Sequence, residues 1–217
     1  MYAIACYCTL AVDLSRPYTV LGTHLTNEVL VALARTTRPL SGREVARITG
    51  RSDRRVRQIL HDLVAHGLVH QQEAPPALLF TLNREHVAAP IVEQLANLRR
   101  EFERRVRAEI ESWEVQPAHA SIFGSAARGD GDTSSDIDIF IVRPDRVTED
   151  NPVWRQQLEQ LAVDVRNWSG NRAGIAEVAQ RELARLRREQ PPVVADLRAD
   201  AVPLAGPPLA ELFKGRR

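Results

Sequence analysis

Apolar residues recur along this chain at two different spacings, near 3.6 through the first half and near 2 in a short stretch beyond the middle. A helix is predicted from a cap at Thr26 or Asn27 to about Arg35. Ser41-Gly42-Arg43-Glu44 is a capping box that opens a second short helix, closed at Gly50. Ser52 caps a third, in which Val56, Ile59, Leu60, Leu63 and Val64 recur at helical spacing until Gly67 supplies a stop. Leu68 to Gln72 and Leu78 to Leu82 read as two short strands joined across Pro75-Pro76. One long helix is then predicted from Arg84 to Glu114. Its stripe is Ile91, Leu95, Leu98, Phe102, Val106, Ile110 and Trp113, and mixed charges fill its other sides.

Beyond Pro117 the pattern changes. His119 to Phe123 is an apolar run suited to a buried strand, and Gly124-Ser125 permits a tight turn into a short helix around Ala126-Ala127-Arg128. Asp136 to Val142 alternates with a period of two, which sets Asp136 and Asp138 on one strand face and Ile137, Ile139 and Ile141 on the other. Pro152 opens a helix carrying Trp154, Leu158, Leu161 and Val165; a turn at Ser169-Gly170-Asn171 leads into a strand from Ala173 to Ala179. Helices over 181–189 and 193–199 and an extended run at Val202-Pro203-Leu204 complete the reading, with Lys214 to Arg217 as a frayed tail. The fold class is therefore α+β. The expected plan is an extension over 1–22, three helices and a hairpin over 23–84, a linker helix over 85–115 and a mixed sheet flanked by helices over 116–217.

Composition narrows the partners. At 217 residues and 44% hydrophobic content the chain can build two modest cores, and a formal charge of +1 provides no global field toward nucleic acid or membrane. No apolar run approaches the roughly twenty residues of a membrane helix, and the start lacks the basic flank of a signal peptide, so the cytoplasm is the expected location. Cys6 and Cys8 are the two cysteines, too few for a zinc site, and read as free thiols. Asn167-Trp168-Ser169 matches a glycosylation sequon that carries no meaning in that compartment.

The chemistry gathers in the middle. A glycine-serine turn after a strand aims backbone N–H groups and a hydroxyl at an anion, and two aspartates about 6.6 Å apart along a strand can reach one hard cation or a pair. Gly124-Ser125, ten residues, then Asp136-Ile137-Asp138 resembles the signature of the nucleotidyltransferase superfamily that includes DNA polymerase beta, and within it the minimal bacterial branch. The resemblance implies Mg²⁺ or Mn²⁺ held by Asp136 and Asp138, a triphosphate held by Gly124, Ser125 and nearby N–H groups, and transfer of a nucleoside monophosphate from an NTP, ATP being expected, to an acceptor hydroxyl. Arg128 is a candidate phosphate contact, with pairing to Asp130 or Asp132 as the alternative. Members of the family usually carry a third carboxylate on a neighbouring strand. Glu177 is the candidate for that catalytic and metal-binding place, against the alternative of an exposed strand residue, and Asp164 is a weaker one.

Three helices followed by a hairpin resemble a winged helix-turn-helix of the transcription-regulator type. Arg54, Arg57, Gln58 and His61 on its third helix, with Arg51 just before it, form a candidate DNA-binding face. The wing tip, Glu73 to Ala77, has no Lys or Arg. A protein-docking or dimerisation module stays open as the alternative, as does a homodimer seam along the long helix. Two functions follow: a nucleotidyltransferase acting on a protein, small-molecule or nucleic-acid hydroxyl in a toxin–antitoxin-like or regulatory setting, the first two acceptors being favoured, or a DNA-binding regulator whose transferase-like domain senses nucleotide or is inactive.

Overall fold

A computed structural model describes residues 13–14, 16–21, 25–128 and 135–213. The thiols Cys6 and Cys8, the carboxylates Asp130 and Asp132 and the tail from Lys214 lie outside the described residues. The chain divides into two compact units, Pro17–Arg99 and a second that takes in Arg100–Arg217 together with the residues before Pro17.

In the first unit a 3₁₀ turn (Pro17–Leu21), within the stretch expected to be a plain extension, leads into α1 (Leu25–Ala34). There follow β1 (Leu40–Ser41), α2 (Gly42–Thr49), α3 (Asp53–Ala65), β2 (Val69–Ala74), β3 (Ala77–Leu82) and α4 (Ala89–Ala96). The three strands pair antiparallel in the order β1-β3-β2. Val29, Val45, Val56 and Leu60 are fully enclosed, with Leu33, Leu40 and Phe80 nearly so. Full burial of such side chains stabilises by about 1.5–3 kcal/mol each, which is what holds three short helices on a small hairpin. The capping box forms as the sequence predicts: the Ser41 N–H donates to Glu44 Oε2 at 2.8 Å and the Glu44 N–H to Ser41 Oγ at 3.3 Å. Gly50 ends α2 at φ 66°, a left-handed conformation that suits glycine.

The predicted linker helix is two helices. Asn97 interrupts it, its Nδ2 donating to Glu93 O at 2.8 Å and its N–H to Gln94 O at 3.0 Å. An asparagine that bonds its own preceding turn competes with helix continuation. After it comes α5 (Leu98–Glu111). The stripe divides accordingly. Of its first half, Ile91 is exposed and Leu95 and Leu98 are half-buried, while their neighbours Ala89 and Val92 enter the core of the first unit; Phe102, Val106, Ile110 and Trp113 are buried in that of the second. Those four positions are thereby consumed by their own core and cannot form a homodimer seam.

The second unit continues through β4 (His119–Phe123), α6 (Gly124–Arg128), β5 (Ile137–Arg143), α7 (Pro152–Ser169), β6 (Ala173–Ala179), a 3₁₀ turn (Gln180–Glu182), α8 (Leu183–Glu189), α9 (Pro192–Asp200), β7 (Val202–Ala205) and α10 (Leu209–Leu212). The sheet order is β6-β5-β4-β7, with β6 parallel to β5 and the other pairs antiparallel. Its two faces are dry for different reasons. Ile137, Ile139 and Ile141 pack with Ile110, Trp113, Trp154 and Leu161 under α5 and α7. Phe123, Phe140 and Val142 pack with Leu183, Val194, Leu197 and Phe213 under the C-terminal helices. No helix among the described residues is long and apolar enough to cross a membrane.

Candidate active site

Strand parity decides which side chains meet. β4 and β5 set Phe123 opposite Asp138, and β5 and β6 set Asp138 beside Gly174. Opposed residues share a face, so Asp138 projects on the Phe140 side, away from Ile137 and Ile139. Asp136 precedes the strand and is exposed. The Asp138 carboxylate is half-buried and lies between two glycines: a Cβ at Gly124 would sit 2.9 Å from Oδ2, and one at Gly174 would sit 2.8 Å from Oδ1. Gly124 also takes φ 68° as it turns from β4 into α6, where Ser125 is half-buried. Burial first, then the negative charges of Asp136 and Asp196, push the Asp138 carboxyl above its ordinary value.

Such a field invites a cation. Among the described residues no three Asp, Glu, His or Cys side chains converge to hold an ion alone. Mg²⁺ commonly takes one or two carboxylates and fills its remaining positions with substrate phosphates and water, so the aspartate pair fits an ion that arrives with a triphosphate.

Glu177 does not join this group. Its register partner is Ile141, which places it on the opposite face from Asp138. There its Oε1 accepts from Arg143 Nε at 2.6 Å and from Trp154 Nε1 at 2.9 Å, both donors buried. The third-carboxylate expectation is therefore corrected: Glu177 balances a buried guanidinium. The β6 residue beside Asp138 is Gly174, which has no side chain to offer. Asp164, on α7, accepts from Gln160 and also stays apart. Arg128 is likewise engaged, its Nη1 2.8 Å from Asp200 and 3.8 Å from Asp196 on α9. The two α9 acids went unnoticed in the sequence; their i, i+4 spacing on one helix face was the available signal.

A cleft of about 850 Å³ opens elsewhere, lined by Ala118, Asp145, Arg181, Arg187 and Phe213. None of the aspartates of the site lines it, and size alone gives it no chemistry.

On α3 the candidate DNA face is partly committed within the unit. Arg51 makes two bonds to buried Glu28, at 2.8 and 2.7 Å. Arg57 pairs with Asp53 at 2.8 Å and Gln58 donates to Asp62 at 3.0 Å. His61 lies edge-on to Phe80, ring centroids 6.3 Å apart. Arg54 and Arg55 are exposed and have no polar partner among the described residues. Arg55 was missed, although the Asp53–Arg57 spacing already indicated which arginines would be taken. A cleft of about 600 Å³ beside the turn into α3 is lined by Arg51, Ser52, Arg55 and Gln58.

A sheet carrying an aspartate pair beside a glycine-serine turn, behind a helix-turn-helix unit, defines a two-part chain. Comparisons with known proteins give each part its class. Residues 98–190 match the family model described as Nucleotidyltransferase domain, and residues 27–73 match that of the IclR helix-turn-helix domain. The chain therefore carries a nucleotidyltransferase domain fused behind an IclR-type helix-turn-helix domain. A search of curated proteins returned no match. A solved transcriptional regulator (MarR family) from Rhodococcus sp. RHA1 is similar at 18% identity and a TM-score of 0.31, over 42% of this chain and 64% of that one, a likeness too slight to carry an argument.

Proposed function

We propose that the C-terminal domain, taken as 116–217, is a metal-dependent nucleotidyltransferase. It moves a nucleoside monophosphate, AMP from ATP as the expected donor, onto a hydroxyl of a protein or small-molecule acceptor, with a nucleic-acid hydroxyl as the third class and a toxin–antitoxin-like or regulatory setting. The observation that supports this best is the Asp138 carboxylate seated between Gly124 and Gly174, with Asp136 two residues earlier. Asp136 and Asp138 hold Mg²⁺ or Mn²⁺, which when bound supplies charge neutralisation for the transferring phosphoryl group. Gly124 lets a phosphate approach the backbone closely, and Ser125 offers its hydroxyl to the triphosphate. The acceptor oxygen displaces pyrophosphate at the α-phosphorus, and the acceptor proton leaves to solvent. Binding of a non-hydrolysable ATP analogue, titrated with and without Mn²⁺, tests the assignment. The Mn²⁺-dependent part should vanish in Asp136→Asn and Asp138→Asn; its survival in both variants defeats it.

A second reading is favoured by α3: the exposed arginines Arg54 and Arg55, unpaired among the described residues, support a DNA-binding regulator whose transferase-like domain senses nucleotide. Phosphate contacts by these two would make duplex binding fall steeply with salt. Binding to operator-sized duplex that ignores Arg54→Ala with Arg55→Ala counts against this face.

A further inference from the structure

We propose that the segment entering β6, from Asn171 to Gly174, is the positioning element of the aspartate pair, holding the backbone on both sides of Asp136 and leaving the space that the Asp138 carboxylate occupies. This rests on the nucleotidyltransferase reading above.

Hydrogen bonds fix Asp136 from both sides. Asn171 Nδ2 donates to Ser135 O at 3.0 Å, and the Ile137 N–H donates to Arg172 O at 2.8 Å. Asp136 thus sits on a one-residue span between two anchors, although it lies outside the strand proper. The anchor is itself held. The Asn171 N–H donates to Ser169 Oγ at 3.1 Å, and Ser169 Oγ donates to Val165 O at 2.7 Å, within a turn that Gly170 closes at φ 77°. Asn171 is 5% exposed and Ser169 2%, so these bonds run without competition from solvent and are expensive to lose.

Gly174 acts by what it lacks. Its φ lies outside the left-handed region, so the backbone would accept any residue; glycine in a strand weakens it and marks a close approach. The approach is that of Asp138, whose Oδ1 lies 2.8 Å from where a Cβ would stand. A methyl group there pushes the carboxylate off its present position. Yielding moves the carboxylate out of the place that the two glycines leave open for it. A strand on which the family resemblance leads one to look for a third acid serves here as the rest for the other two.

The test uses the full chain and four variants: Asp138→Asn, Gly174→Ala, Asn171→Ala, and Ile175→Val as a control on the opposite sheet face. Each is titrated with a non-hydrolysable ATP analogue with and without Mn²⁺, and its thermal transition is recorded. Loss of a positioning contact should weaken the Mn²⁺-dependent affinity by about 10- to 100-fold in Gly174→Ala and Asn171→Ala, with the Mn²⁺-free affinity unchanged. Ile175→Val should bind as the wild type does. If the wild type shows Mn²⁺-dependent binding that Asp138→Asn removes, while Gly174→Ala retains it in full, the inference is overturned and the transferase reading stands. A wild type without Mn²⁺-dependent binding overturns both. If Asn171→Ala fails to fold, the Gly174→Ala result decides alone.

Discussion

Removing Glu177 should unsettle the fold and leave the aspartate pair alone. Its carboxylate is 14% exposed and neutralises an Arg143 guanidinium that is 6% exposed, so Glu177→Ala leaves a buried cation without its partner. Breaking a buried pair in this way costs about 3–5 kcal/mol, and Trp154 Nε1 loses its acceptor as well. Arg143 keeps its bond to the Val147 carbonyl, and some water can reach the vacated place, which favours the lower end, about 3–4 kcal/mol. Glu177→Gln retains the shape and an acceptor for Trp154, so it should cost about 1.5–3 kcal/mol, the worth of a charge-assisted bond. Urea unfolding followed by tryptophan fluorescence suits this test, because Trp154 is fully buried and packs edge-on to Trp113 with centroids 5.7 Å apart. The midpoint should fall with an unchanged slope, and the folded variants should bind the Mn²⁺–nucleotide analogue as the wild type does. Stability within about 0.5 kcal/mol of wild type, together with lost metal-dependent binding, would refute the register argument and return Glu177 to the site.

Three more outcomes are expected. Because burial and neighbouring acids hold Asp138 above its ordinary 3.8, the folded chain keeps this proton to higher pH than the unfolded one, and ionising it destabilises the metal-free protein as pH rises. Asp138→Asn should therefore melt above wild type at neutral pH, the gap closing below 3.8, when both are scanned without divalent ions. Glu44 behaves oppositely: the Ser41 backbone N–H first, then the Ser41 hydroxyl and Arg38, hold its carboxyl at about 2 against an ordinary 4.5, so its contribution is present above 4.5 and is lost as pH falls through about 2. Glu44→Gln should flatten that acid limb in a pH series of unfolding curves. Under the regulator reading, Arg54→Ala and Arg55→Ala should each lower the slope of log affinity against log salt by about one in duplex binding, without moving the thermal transition.

Features written in local spacing were legible in the sequence. The capping box at Ser41, the αL stop at Gly50, the strand boundaries of Ala173 to Ala179 and the alternation around Asp138 depend on residues a few positions apart. Glu177 misled because its meaning depends on register between strands. Parity within β6 fixes which residues share its face, but only the pairing of Asp138 with Gly174 tells which face that is. The break at Asn97 was hidden for a different reason: neither Gly nor Pro marks it, and the apolar spacing runs through it although Ala89 and Val92, not the stripe's Ile91, face the first core. Arg128 and Asp200 on α9 meet across 72 positions of sequence, beyond the reach of any helical wheel.

Residues 124 and 174 share a genetic consequence. Every amino acid other than glycine brings a Cβ, so no missense codon at either position spares the carboxylate lying between them. In a saturation library selected for nucleotide binding these two columns should stay empty except for the parental letter, whereas the buried isoleucines across the sheet should admit valine or leucine.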